Sequence, residues 1–182
     1  MKHLTVKEKE MEGFEKMKSV FHYKNAMAAP KLKKIILNVG TGTMVKKDKN
    51  KNDAIQDRLA KITGQKAALR GSKKSVASFK VRQGDPIGVM VSLRGARMYA
   101  FLEKLINVAL PRTKDFRGIN RVSVDNIGNL TLGIKEHTIF PETADEDIRD
   151  VFGLSITLVS TAKTKKEGTA FFELLGVPFK KE

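Results

Sequence analysis

The chain has no cysteine, which excludes a disulfide framework, a thiol nucleophile and the usual cysteine-containing zinc sites. A reducing compartment is permitted by that absence, not proved. Tryptophan is also missing, and tyrosine occurs only twice beside ten phenylalanines, so base stacking on an aromatic platform is a poor basis for recognition. No apolar run reaches the ~18–20 residues that a membrane span requires. The first residues carry Lys2, Lys7, Lys9, Glu8, Glu10 and Glu12 around no apolar centre, unlike a secretory signal. The expectation is a cytoplasmic protein with no membrane association. Histidine is scarce: His3, His22 and His137 show no metal-ligand spacing, and no serine sits in a nucleophile elbow. Catalytic residues, a metal and a cofactor are therefore not expected.

Acid is the scarcer sign of charge. Against 35 Lys and Arg stand 20 Asp and Glu, a formal net charge of +15, while 41% of residues are hydrophobic. That composition describes a folded basic protein, and a field of this sign favours polyanionic partners. At 182 residues the length suits one domain spanning 1–182.

Apolar periodicity supplies the elements. Met11, Phe14, Met17 and Phe21 recur at helical spacing over residues 4–23, and the simplest reading of that stripe is core. After Pro30, residues 32–40 alternate, with Ile35, Leu37 and Val39 on one face and Lys34, Ile36 and Asn38 on the other. A lysine- and asparagine-rich loop over 44–52 leads to a helix marked by Ile55, Leu59 and Ile62 and ended by Gly64. Residues 65–94 read as a hairpin or two neighbouring strands, the second alternating through Ile87, Val89, Val91 and Leu93. Met98, Phe101, Leu102, Leu105, Ile106 and Ala109 mark a helix stopped by Pro111. Two strands follow, at Leu130, Leu132 and Ile134 and at Leu154, Ile156 and Leu158. A last helix opens on the capping-box pattern Thr164-Lys-Lys-Glu167, buries Ala170, Phe171, Leu174 and Leu175, and closes at Gly176 and Pro178.

Each strand keeps a polar face, so helices should cover one side of the sheet only. The expected fold is α+β: a mostly antiparallel sheet of about five strands, helices on one face, an open face for RNA, and a long basic loop. Outward positions include Lys34, Asn38, Ser92, Arg94, Thr131, Lys135, Ser155 and Thr157.

The densest basic segment is 61–97, where Lys61, Lys66, Arg70, Lys73, Lys74, Lys80, Arg82, Arg94 and Arg97 are opposed only by Asp85. If ~5 of these cations neutralise phosphates, log affinity should fall with log salt at a slope of roughly −4. Gly71 and Ser72 open the backbone to phosphates beside Lys73 and Lys74. Phe79 is open between a core anchor at the base of the loop and an exposed stacking residue. Gly40-Thr41-Gly42-Thr43 lacks the third glycine of a dinucleotide fingerprint and reads as a turn. Glu142, Asp145, Glu146, Asp147 and Asp150 form an acidic cluster relieved by Arg149. That cluster is either a solvated face or a docking patch for a basic protein, and its spacing is not that of an EF-hand.

Several stretches in order over almost the whole chain resemble the bacterial-type family of large-subunit ribosomal protein L5. They are Tyr23-Lys-Asn-Ala-Met27, Pro30-Lys-Leu-Lys-Lys-Ile-Ile-Leu-Asn38, Gly64-Gln65-Lys66, Lys73-Lys-Ser-Val-Ala-Ser-Phe79 and Val81-Arg-Gln-Gly-Asp-Pro-Ile-Gly88. Val91-Ser-Leu-Arg-Gly95, Leu110-Pro-Arg-Thr-Lys-Asp-Phe-Arg-Gly118, Leu132-Gly-Ile-Lys-Glu136, Ile139-Phe-Pro-Glu142 and Leu175-Gly-Val-Pro-Phe179 continue the series. The resemblance implies a scaffold of the central protuberance that binds 5S rRNA and contacts large-subunit rRNA, with no reaction. By resemblance Asn38, Gln65 and Ser92 contribute to the 5S rRNA surface, with Lys34 and Arg94 beside them. The family commonly has Thr at the position of Ser92. The loop over 71–84 corresponds to one that reaches peptidyl-site tRNA, which assigns Lys73, Lys74, Ser75, Lys80 and Arg82 to its backbone. The family also bridges to a basic protein of the small-subunit head, a partner for Glu142, Asp145, Glu146 and Asp147.

Two other classes compete with this reading. A metal-dependent RNA-acting enzyme would use the acids of 142–150, and a generic cationic chaperone would bind by charge alone and ignore Asn38.

Overall fold

The structure, a computed structural model, describes residues 4–42, 44, 51–144 and 151–180. Among these residues five strands form one sheet: β1 (Leu32–Gly40), β2 (Ala68–Gly71), β3 (Pro86–Leu93), β4 (Leu130–Ile134) and β5 (Leu154–Ser160), ordered β2-β3-β1-β5-β4. The longer helices are α1 (Val6–Phe21), α2 (Lys51–Thr63), α3 (Ala96–Lys104) and α4 (Lys165–Leu175).

Hydrogen bonds and close contacts fix the direction of every neighbour. Ala68 of β2 faces Met90 of β3 and Arg70 faces Gly88, antiparallel. Thr41 N–H donates to the Ile87 carbonyl at 2.9 Å, while a Cβ on Gly88 would lie 3.3 Å from the Val39 carbonyl. Between β1 and β5, Ser155 Oγ donates to the Asn38 carbonyl and Thr161 N–H to the Lys31 carbonyl. Between β5 and β4, Asn129 Oδ1 accepts from Ser160 N–H and the hydroxyls of Thr131 and Thr157 lie 3.1 Å apart. One partner climbs as the other descends in each case, so the sheet is antiparallel, as the alternation predicts.

The same alternation divides its faces. Ile35, Leu37, Val39, Val89, Leu93, Leu130, Ile156 and Leu158 are fully buried, each contributing about 1.5–3 kcal/mol on leaving water. Asn38, Thr131 and Gly133 on the other face are exposed. A slip of one residue would exchange the two sets, so burial itself holds the register.

Contacts divide the chain into two compact units: Met1–Ile35, Leu93–Leu132 and Thr157–Glu182 make the first, and Ile36–Ser92 with Gly133–Ile156 the second. In the first unit, Thr5 caps α1 by accepting from Glu8 N–H while Glu8 accepts from Thr5 N–H, a complete capping box. The buried residues of α1 are Val6, Gly13 and Met17. The expected stripe is thus only partly core, since Met11 is 67% exposed. Gly13 is buried instead, and a Cβ there would meet the Leu174 side chain of α4 at 3.5 Å.

Pro111 does not stop the helix begun by α3. The chain passes through a π turn, Leu105–Ala109, and a further helical turn, Leu110–Arg112. Leu110 N–H reaches back to the Leu105 carbonyl, and the widened turn accommodates a proline that lacks a donor and crowds the preceding turn. Thr164 caps α4 as expected, accepting from Glu167 N–H. Glu167, however, accepts from Lys163 N–H at 2.8 Å and from the Tyr23 hydroxyl at 2.5 Å, in place of the reciprocal bond to Thr164. Phe172 is buried with Phe171 and Leu175, whereas Ala170 and Leu174 are half-buried.

In the second unit, α2 buries Ile55, Leu59 and Ile62 and ends at Gly64 with φ +66°, the left-handed conformation that glycine adopts without penalty. His137 is fully buried, stacked on Phe152 with ring centroids 4.1 Å apart, and its Nδ1 accepts from Phe152 N–H.

Candidate nucleic-acid interface

The open faces of the strands carry short polar groups, of which the Asn38 side chain makes no hydrogen bond among the described residues. In the second unit, Asn38 is exposed, and its backbone carbonyl accepts from Ser155. Gln65 follows the left-handed Gly64, and that turn brings its Nε2 to 3.4 Å from the Ser92 carbonyl. Asn38, Gln65 and Ser92 therefore all lie in that unit, on or beside the central strands β1 and β3. Lys34 shares the open face of β1 with Asn38 and is half-buried, and Arg94 is exposed one residue beyond β3; both belong to the first unit. The Thr131 and Thr157 hydroxyls, already bonded to each other, lie on the same face of their strands. Amide and hydroxyl groups of this kind can pair with 2′-hydroxyls and base edges, and Ile36 and Met90 of the second unit are half-exposed.

The basic loop is a shaped arm that continues the β2-β3 hairpin. Ser72 N–H donates to the Asp85 carbonyl at 2.8 Å and Gly84 N–H to the Ser72 carbonyl at 2.9 Å, closing the base. Further out, Val76 and Val81 form an antiparallel bridge with both N–H···O bonds made. Ser75 Oγ accepts from Gln83 N–H and Asp85 from Arg82 N–H. Lys80 turns the tip with φ +48°, a conformation costing roughly 1–2 kcal/mol for a residue with a side chain. Lys73, Lys74, Ser75, Lys80 and Arg82 are all exposed, as expected. Phe79 is 66% exposed, so it is not a core anchor at the base of the loop.

Glu142 is exposed in the turn Pro141–Thr143, whereas Asp145, Glu146 and Asp147 lie outside the described residues. Among the described residues no cluster of histidine and carboxylates could hold a metal ion, and no helix is long and apolar enough to cross a membrane.

Periodicity gave no sign of two carboxylate clasps in the first unit. Glu10 accepts from the Tyr99 hydroxyl at 3.0 Å and from Leu32 N–H at 3.2 Å, tying α1 to α3 and to the start of β1. Burial, then the neighbouring Glu10 charge, pushes the Tyr99 hydroxyl up to about 12. Burial and Glu167 likewise raise Tyr23 far above its ordinary value. These pairs join residues 89 and 144 positions apart, a separation no local pattern reports.

The chain matches the family model described as Ribosomal protein L5 over residues 25–82, and a second model, for the C-terminus of the same ribosomal protein family, over residues 86–179. It is 46% identical over 169 residues to the large ribosomal subunit protein uL5 of Trichlorobacter lovleyi, covering 93% of this chain and 94% of the relative. It is 49% identical over 164 residues to the protein of the same name from Desulforapulum autotrophicum, covering 90% and 91%. Against that of Acaryochloris marina the identity is 47% over 165 residues, covering 91% of each.

Proposed function

The chain belongs to the ribosomal protein L5 family, and from that premise we propose that it holds 5S rRNA on the open face of its sheet and touches peptidyl-site tRNA with its basic arm. As a member of that family it is a protein of the large ribosomal subunit and not an enzyme. Asn38 carries the proposal for 5S rRNA: it is an exposed amide on the central strand β1, its side chain making no hydrogen bond among the described residues, beside the linked Gln65 and Ser92. Lys34 and Arg94, which belong to the first unit, are assigned phosphate contacts with the same RNA. An A-form helix displays hydroxyls and base edges in a shallow groove, which suits short donors and acceptors on a sheet better than long aromatic platforms.

The arm supports the tRNA contact through charge and shape. Lys73, Lys74, Lys80 and Arg82 present four cations on a closed hairpin extension, and backbone contacts of that type position a nucleic acid without selecting its sequence. A protein that must accept every tRNA needs that tolerance. The acidic residues Glu142, Asp145, Glu146 and Asp147 are assigned to a basic protein of the small-subunit head, on charge complementarity.

The test compares binding of the chain to 5S rRNA and to a length-matched control RNA across a salt series. A preference for 5S rRNA that persists at high salt, and that falls on Asn38→Ala by roughly five- to tenfold, is expected from the loss of one good hydrogen-bonding residue. Equal binding of both RNAs, falling together with salt and indifferent to Asn38→Ala, would leave charge as the sole contributor and refute the proposal.

A further inference from the structure

Within the first unit, the chain leaves a parallel bridge of Ile119 with Phe179 and makes two turns before it enters β4. Neither turn has a part in the reading above, yet each holds a large aliphatic side chain in water: Val122 is 74% exposed and Ile127 63%. A single exposed aliphatic residue needs no explanation. These two differ in that the backbone beneath each is fastened to the body of the unit.

Val122 lies in the turn Arg121–Ser123. Asn120 opens that turn, its side chain accepting from Val122 N–H at 3.0 Å. Arg121 braces it, pairing with Glu173 of α4 at 2.6 Å and lying over the Phe179 ring. Ile127 stands near the tip of a small hairpin closed by the antiparallel bridge of Val124 with Leu130. Asp125 pins that tip by accepting from Ile127 N–H at 3.2 Å, Asn129 N–H at 2.6 Å and Asn129 Nδ2 at 3.0 Å. The next residue, Gly128, has φ +80°, and its carbonyl accepts from Ser160 Oγ at 2.6 Å. A Cβ on Gly168 of α4 would fall 2.6 Å from Gly128 Cα, and one on Gly128 3.1 Å from the Thr164 carbonyl. The hairpin tip therefore rests on the start of α4, with Ile127 next to the contact.

The chain at that contact is basic. Lys163, Lys165 and Lys166 flank Thr164; Lys163 and Lys166 are exposed and Lys165 is half-buried, and none of the three makes an ion pair with a described residue. The acids of the same elements are engaged elsewhere. Asp125 holds the hairpin, Glu173 pairs with Arg121, and the buried Glu167 accepts from Lys163 N–H and the Tyr23 hydroxyl. A helix dipole favours acids over lysines in a first turn, so the stability of α4 does not account for these cations.

We propose that Val122 and Ile127, with Lys163, Lys165 and Lys166 beside them, form a docking surface for another protein of the large subunit, whose docking segment sets apolar residues among aspartates or glutamates. Charge complementarity selects its sign. Three unpaired lysines suit carboxylates, and they repel a second copy of this chain, whose net charge is +15. Side-chain chemistry selects its class: RNA is gripped through phosphates, hydroxyls and stacked bases, and β-branched aliphatic side chains match none of these. Apolar side chains at the centre with charges at the rim are instead the common build of a protein interface. The inference goes beyond the contacts with 5S rRNA and tRNA, and needs only that the chain works within the large subunit.

The experiment places a photocrosslinking residue in the position of Ile127, and separately of Val122, in chains assembled into large subunits, and identifies the attached segment after digestion. The expected product is one protein segment, reached from both positions, in which apolar residues stand among Asp or Glu. Crosslinks to RNA alone, crosslinks to segments without acids, or no crosslink from either position would overturn the docking surface. The protein so identified is then titrated onto subunits stripped of it. Ile127→Ser should weaken its binding by about 10- to 100-fold at every salt concentration, as expected for the loss of one buried aliphatic side chain. Lys163→Gln with Lys166→Gln should weaken it by about two- to tenfold at low salt and leave it unchanged at high salt. Unchanged binding in both variants would overturn the proposal as well. Both should keep the urea midpoint of the parent and its affinity for 5S rRNA to within about twofold, which reports an intact fold. If the parent shows no preference for 5S rRNA, the reading of the sheet face fails, and the crosslinks still decide the docking surface.

Discussion

Replacing Lys73, Lys74, Lys80 and Arg82 together by alanine removes the charge of the arm while leaving its scaffold. The scaffold depends on the Val76–Val81 bridge and the closure of Ser72 on Gly84 and Asp85, and none of those bonds uses a charged side chain of the four. Each phosphate neutralised contributes about 0.7 to 0.9 to the dependence of log affinity on log salt. Four contacts therefore give a slope difference of about 3. Between 50 and 200 mM salt, a fourfold change, the parent should lose roughly 50- to 150-fold more affinity for tRNA than the variant. Fluorescence anisotropy with labelled elongator tRNA measures this directly, and two tRNAs of different sequence should behave alike. Binding to 5S rRNA, read in parallel, should keep its salt slope to within about one contact. The reasoning is refuted if parent and variant share one slope on tRNA, or if tRNA and 5S rRNA affinity fall by the same factor.

Two further perturbations test the scaffold. Alanine at Gly168 of α4 should be favoured by helix propensity by about 1 kcal/mol, but its Cβ would fall 2.6 Å from Gly128 Cα and 2.8 Å from the Gly128 carbonyl. Overpacking against backbone costs about 1–3 kcal/mol, so Gly168→Ala should destabilise in urea unfolding; a gain in stability would mean the helix can move away freely. The Tyr99 hydroxyl is held up at about 12 by burial first and Glu10 second, against about 10 in an unfolded chain. A raised folded value means that its contribution is complete below pH 10 and is lost as pH climbs from 10 to 12. The melting temperature should fall across that interval, and Tyr99→Phe should make the fall shallower; identical pH profiles would show that the clasp does not couple to folding.

Much of the sheet was legible because alternation is a local signal. Ile35, Leu37 and Val39 announce the buried face of β1, and with it Lys34 and Asn38 on the open one; the burial observed follows that pattern. Gly64 ended α2 where its positive φ was needed. The helices were found but their faces were less readable. The apolar stripe of α1 misplaced Met11 because the buried positions of the helix are Val6, Gly13 and Met17, and a stripe of large residues does not point to a glycine. Pro111 misled for a related reason: the rule that proline ends a helix assumes regular turns, and the π turn before it suspends that assumption.

The site separates along the same physical line. Charge density along 61–97 pointed to the arm, since cations without acids are visible in any window, and its residues are exposed as expected. Asn38 and Ser92 were reachable by alternation, but the bond from Gln65 to the Ser92 carbonyl spans 27 positions and becomes visible only when α2 and β3 are placed together. The parallel bridge from Ile119 to Phe179 joins residues 60 positions apart and is hidden from a local pattern for the same reason. Electrostatic affinity can thus be read residue by residue along a chain, because phosphates respond to charge wherever it is presented. Specificity cannot, because it resides in how uncharged groups from different strands are brought to one surface. For this chain the sheet is the element expected to distinguish one RNA from another, while the arm is expected to set how tightly, and at what salt, the complex is held.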